Sequence, residues 1–259
     1  MESIINIQEL KLRFLSYANS YLTGDEFDDG YIVKRDHTIR VHEIAQKIAR
    51  VANVDNQTFM IIEAIAILHD IGRFIEWKLY KSYKRKKEFD HAKEGARLLR
   101  QGLIEKMIPQ TRQFDELIIC GVELHGDMVL PDTLSKQERV IFEIIRDADR
   151  VDIFYLCTRE QYFERMYEQE IGGRHLTPDI KKRYMQGEPI NLFDLKSKFD
   201  LLALRCGLMK QITTKASKEF IVKSNLLNRM IDLFKKKLPY YDGAEVEWLR
   251  KKTIGYLLK

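Results

Sequence analysis

The chain has 259 residues, 45% of them hydrophobic and 32% charged, enough for one large domain or a domain with an appendage around a true apolar core. A formal charge of +5 and a pI near 8.9 are mildly basic; they suit phosphate-bearing partners but are too weak to call for nucleic acid. Three cysteines, Cys120, Cys157 and Cys206, none in a CxxC pair, argue against a disulfide framework or a thiolate zinc site and fit the reducing cytoplasm.

The first residues, MESIINIQELKLRF, lack a basic segment followed by an apolar run, so they do not read as a signal peptide. No stretch approaches the ~18 apolar residues of a membrane span. Apolar spacing near 3.6 residues predicts a helix over 6–22, with Ile7, Leu10, Phe14, Tyr17 and Ala18 on one face. A second follows over 37–52. Segment 57–71 is apolar nearly all round, as in a central helix, with Gly72 as its stop. Asp90 caps a helix over 91–101, ended by Gly102. Helices over 112–124 and 135–158 come next, the latter opened by Ser135 and Glu138 in capping-box spacing. Residues 171–190, rich in glycine and proline, read as a long loop or cover. Helices over 194–211, 216–236 and 243–257 close the chain. All five prolines lie after residue 108, which leaves the early helices unobstructed. The expectation is an all-α fold: a helical core over 1–160, and a helical extension over 161–259 packed on it rather than forming an independent domain.

Six histidines are present, and four stand at notable places. His37 opens the predicted helix at RDHTIRV, and His69 closes the apolar helix beside Asp70 in AILHDIGRF. His91 starts a helix in FDHAKEGARLL, and His125 ends one in VELHGD. Far downstream, RDADRVD carries Asp147, Asp149 and Asp152. Imidazole and carboxylate suit Zn, Mn, Fe, Co or Ni, and ligands on separate helices can converge inside a bundle.

The order His37, His69-Asp70, Asp149 resembles the HD domain, an all-α superfamily of metal-dependent phosphohydrolases. HTIRV, AILHDIGRF and DADRVD carry the resemblance, which covers about residues 34–160. HAKEGARLL and ELHGD are similar to the further ligands of subfamilies that hold two metals. Carried over, the resemblance implies one divalent ion on His37, His69, Asp70 and Asp149, and a second on Asp70, His91 and His125. The alternative for His91 and His125 is substrate contact or helix capping beside a single ion. The ion would be Mn, Fe, Mg, Co, Ni or Zn. The GYP signature of cyclic-dinucleotide phosphodiesterases is absent, so that substrate is not assigned.

The implied activity is hydrolysis of a phosphate ester or anhydride on a small molecule, for instance a nucleotide, by metal-activated water. Asp70 and Arg73 are the catalytic candidates. Arg73, three residues after Asp70, either clamps a phosphate oxygen or makes a salt bridge. Residues 78–87, KLYKSYKRKK, hold six cations. Lys78, Lys81 and Lys84 among them either funnel phosphates toward the site or belong to a solvated loop. Tyr80 and Tyr83 either stack on a base or pack. Of the late aspartates, the ADR pattern favours Asp149; Asp147 lies about 200° away round a helix, so both cannot face one ion. Asp147 and Asp152 then support the ligands from behind or lie on the surface. His42 reads as ordinary, and His175 as a loop residue. Two rivals remain: a mixed-valent di-iron oxygenase of the same superfamily, and a sensor module whose metal only holds a ligand. The helices after 160 shape specificity or form a subunit contact, as in a homodimer.

Overall fold

The computed structural model describes residues 5–25, 28–83, 88–127, 129–167 and 172–259. The fold is all-α, with no β-strand among the described residues. Two compact units emerge, Met1–Asp149 and Arg150–Lys259. In the first, α1 (Ile7–Asn19) precedes α2 (Asp28–Val51), α3 (Asn56–Leu68), α4 (Gly72–Tyr80), α5 (His91–Leu98), α6 (Ile104–Met107) and α7 (Asp115–Leu124). The boundary falls inside α8 (Lys136–Leu156). The second unit continues with α9 (Glu160–Tyr167), α10 (Pro178–Gln186), α11 (Lys198–Met209), α12 (Lys215–Lys223), α13 (Leu226–Lys237) and α14 (Gly243–Leu257). No described helix is long and apolar enough to cross a membrane.

α3 is the axis of the first unit. Ile61, Ile62, Ile65, Ile67 and Leu68 are all fully enclosed, because α2, α1 and α7 cover its different faces. Such all-round burial is what an apolar helix without a polar stripe requires. Asp55 starts it by accepting from the Thr58 backbone N–H at 2.8 Å. A second cluster locks α4: Phe74 meets the rings of Phe14, Tyr17, Tyr21 and Tyr31 at centroid distances of 5.5–6.2 Å. In the second unit, Phe199, Phe234 and Tyr241 cluster at 5.2–6.0 Å. The buried Tyr184 hydroxyl shares a hydrogen bond with Thr253 at 2.7 Å.

Local signals mark several boundaries. Asp90 caps α5 through the Ala92 and Lys93 amides. Ser135 and Glu138 bond reciprocally at the start of α8. Other boundaries move. α2 begins at Asp28, so His37 lies mid-helix instead of opening one. The apolar helix ends at Leu68, and Gly72 is the first residue of α4 rather than a stop. Within 171–190, Pro178 and Gly187 bracket α10 as its first-turn residue and its left-handed C-cap. Asn225, at φ 54°, breaks the expected 216–236 helix into α12 and α13.

Gly72 has a packing reason of its own. A Cβ there would fall 2.1 Å from the His91 carbonyl oxygen and 2.7 Å from the Gly95 nitrogen. The start of α4 therefore rests directly on the backbone of α5. Gly72→Ala forces that contact apart and is expected to cost at least about 2 kcal/mol, in the upper part of the overpacking range. Gly255, exposed within α14 with nothing near its would-be Cβ, predicts the opposite sign: Gly255→Ala stabilises by about 0.5–1 kcal/mol. Thermal melts of both variants read the two signs, and an unchanged or raised midpoint for Gly72→Ala contradicts the packing.

Candidate metal centre

Asp70 sits in the three-residue turn between α3 and α4, shaped by Ile71 N–H to Leu68 O at 3.0 Å and Arg73 N–H to Asp70 O at 2.9 Å. His69 directly follows α3, and His125 directly follows α7. Both rings fold back in the same way. His69 Nδ1 donates to Ala66 O at 2.8 Å, and His125 Nδ1 donates to Val122 O at 2.6 Å. A carbonyl can only accept, so each Nδ1 carries the hydrogen and each Nε2 presents a lone pair. These carbonyls belong to last turns that lack intrahelical donors. His69 Nε2 is buried with no hydrogen-bond partner, a loss of about 1–3 kcal/mol unless something else accepts its lone pair.

The two oxygens of Asp70 face different imidazole pairs. Oδ2 lies 3.5 Å from His37 Nε2 and 3.7 Å from His69 Nε2. Oδ1 lies 3.4 Å from His91 Nε2 and 3.6 Å from His125 Nε2, whose ring nitrogens are 3.2 Å apart. Asp149 Oδ1 joins the first set, 3.1 Å from His37 Nε2 and 3.9 Å from His69 Nε2. Bonds of about 2.1 Å to a shared ion would set neighbouring ligand atoms about 3.0–3.4 Å apart. The donor atoms therefore lie close to the spacing an ion imposes. His37, His69 and Asp70 form one group able to hold a metal; Asp70, His91 and His125 form another.

The six ligand candidates come from five parts of the bundle, His69 and Asp70 sharing the turn after α3. α2 carries His37, α8 carries Asp149, and His91 is the first residue of α5. The Gly72 contact brings α5 onto the Asp70 turn, and Gly95 keeps the same seam narrow, its would-be Cβ 3.3 Å from Gly72 N.

Asp70 is 3% exposed. Burial alone would raise its pKa, but Lys34, then His69, His125 and Arg73 hold it well below the usual carboxylate range. Asp149 behaves likewise: burial opposes and His37 prevails, so its pKa is lowered. Burial pushes His69 down to about 4. Burial, with Arg73 beside it, drives His91 well below its ordinary value. Ionised carboxylates and neutral imidazoles are the protonation state that metal binding needs.

Arg73 pairs with the buried Glu76 through Nη1, and its Nε lies 3.5 Å from Asp70 Oδ1. The salt-bridge reading of Arg73 is thus met, in a side chain that stands beside Asp70. Lys78 is exposed on α4; Lys81 follows it, with its ammonium 5.6 Å over the Tyr31 ring. Lys84 lies outside the described residues. Tyr80 packs edge-on against Phe89. Asp147 and Asp152 are fully buried rather than on the surface. His42 bonds the buried Glu63 at 3.0 Å. His175, with a side chain 76% exposed, lies 3.5 Å from Glu245 in the second unit.

The residue that sequence reasoning missed is Lys34, whose Nζ donates to Asp70 Oδ2 at 2.7 Å. Its signal was present: it precedes His37 by three residues, one helical turn, and so shares its face.

The buried, neutral histidines set an acid limit for the protein without metal. In the unfolded chain His69 takes up a proton near pH 6.5, whereas in the folded chain it does so only near 4. The unfolded state therefore binds more protons between these values, and stability falls as pH drops through this window. The loss from His69 alone is about 2 kcal/mol at pH 5. His91 adds in the same direction. The lowered Asp70 and Asp149 act only below their ordinary pKa, where acid removes their stabilisation. Urea unfolding at pH 7.5 and pH 5 in the presence of a chelator measures the slope; equal stabilities would contradict it.

The comparisons with known proteins agree with this geometry. Residues 35–153 match the family model of the HD domain. No curated protein matches the chain, and no solved structure does. The matched span runs from the residue after Lys34 to α8 and contains all six clustered histidine and aspartate side chains, so the similarity to the HD domain falls on the segment that builds this cluster.

Proposed function

We propose that this protein is a metal-dependent phosphohydrolase cleaving a phosphate ester or anhydride of a small molecule. The observation that carries this reading is Asp70, whose two oxygens each face a separate pair of imidazole nitrogens. On this reading His37, His69, Asp70 and Asp149 hold one divalent ion, and Asp70, His91 and His125 hold a second. The buried, unpartnered His69 Nε2 fits that role. What bound divalent ions supply is a water pKa lowered from 15.7 toward ~7 and positive charge beside a phosphoryl oxygen.

The remaining tasks fall to the chain. The backbone bonds of His69 and His125 orient their rings before any ligand arrives. Arg73, anchored by Glu76, orients the phosphoryl group next to Asp70. Lys78 and Lys81, exposed at the end of α4, add long-range attraction for anions.

Elemental analysis of the purified protein, then a phosphate-release screen across nucleotides and sugar phosphates with Mn, Mg, Co and Ni, tests the proposal. Release with at least one ion supports it. Bound iron with oxygen uptake on substrate addition, and no phosphate release, would replace it with an oxygenase. Asp70→Ala is expected to lose metal and to lower phosphate release by more than about 100-fold, since even the outer partners of metal ligands are worth 10–100-fold. Its helical circular dichroism should persist. His91→Ala separates the two ions: bound metal per chain should fall from two to one, and an unchanged stoichiometry argues for a single-ion site.

A further inference from the structure

Lys34 lies within the site yet is no metal ligand. Its ammonium donates to Asp70 Oδ2 at 2.7 Å, the oxygen that faces His37 and His69. Lys34 therefore holds the same carboxylate oxygen that the first ion needs. Among the described residues it has no other carboxylate partner. Arg73 differs, because Glu76 matches its charge.

Lys34 lies at the edge of the site beside an aromatic ring. Its side chain is 16% exposed, and its ammonium lies 5.3 Å from the centre of the Tyr83 ring. Tyr83 is anchored at both ends: its hydroxyl donates to Gly30 O at 2.9 Å, and its ring packs on Trp77 at 4.8 Å. The Arg73 guanidinium lies 5.8 Å from the same ring. Two cations thus flank one carboxylate beside one aromatic ring.

We propose that Lys34 is a displaceable counter-ion and, beside Arg73, a second phosphate-recognition residue of this site. The inference rests on the metal-dependent phosphohydrolase reading. Without metal, Lys34 neutralises Asp70. A divalent cation held at Asp70 would repel the nearby Lys34 ammonium, since like charges beside one carboxylate oppose each other. A phosphoryl group then supplies the anion that lets Lys34 and the bound cations remain close. A lysine suits both states, being a point charge with three donors on a flexible stem.

The first test uses the wild-type protein. Lys34 is labelled with a water-soluble amine-acetylating reagent and quantified by peptide mass spectrometry. Labelling should be slow without metal, faster with Mn2+ alone, and slow again once inorganic phosphate is added. The second test uses variants whose folding is checked by circular dichroism. Lys34→Met should bind Mn2+ about tenfold more tightly, and the Mn2+-loaded variant should bind inorganic phosphate about tenfold more weakly. Lys34→Arg should retain most phosphate binding. If Mn2+ binds but Lys34 labelling does not respond, or if Lys34→Met binds both ions like wild type, the role of Lys34 is overturned and the phosphohydrolase reading stands. If equilibrium dialysis finds none of Mn2+, Mg2+, Co2+ or Ni2+ on the wild-type protein, both fall together; if one of the others binds in place of Mn2+, the same labelling and binding tests are read with that ion.

Discussion

An ionised carboxylate buried to 3% exposure is tolerable only when opposite charge and hydrogen-bond donors surround it. Two cations meet that condition for Asp70: Lys34 holds Oδ2 and Arg73 stands by Oδ1. The four imidazole nitrogens that also face it bring lone pairs at His69 and His125, which a cation between them and the carboxylate would satisfy. The other features of the site follow from this demand. α2 must deliver both His37 and Lys34, α5 and α7 must deliver His91 and His125, and α8 must bring Asp149. Removing one donor from such a group leaves charge uncompensated in the interior, so these residues are coupled energetically as well as spatially.

Preorganisation comes from two simple devices. Each helix-terminal histidine bonds a carbonyl three residues back, so its ring direction is set by backbone. Glycines do the rest. The Gly72 contact lets one helix start against the backbone of another, and no side chain larger than hydrogen permits that distance. His91 and Asp70 belong to segments about twenty residues apart in the chain, and they meet because Gly72 and Gly95 leave the seam between α4 and α5 bare.

Much of this was legible in the sequence because it rests on local chemistry. Asp90, Ser135 and Glu138 act within one helical turn, and their patterns name their roles. The ordered histidines and aspartates signal shared chemistry because so few residue types serve it. What escaped notice depends on distant partners. Lys34 looks like any surface lysine until Asp70 is folded against it. Gly72 in sequence suggests a helix stop, since glycine also ends helices; its use here is a contact with α5. α10 was hidden because Pro178 and Gly187 mark helix ends as well as loops. The buried Asp147 and Asp152 show that a carboxylate on a core helix need not face solvent.

The aromatic cluster around Phe74 also reaches beyond packing. Arg73 and Phe74 are neighbours in the chain, one directed at Asp70 and the other wedged among Phe14, Tyr17, Tyr21 and Tyr31. Successive residues of an α-helix are turned by about 100°. Phe74 is therefore a key in a lock whose angle dictates where the guanidinium aims. α1, which bears none of the clustered groups, acquires leverage over them: trimming its rings would loosen the azimuth of α4 and blur the aim of Arg73 from outside the centre itself.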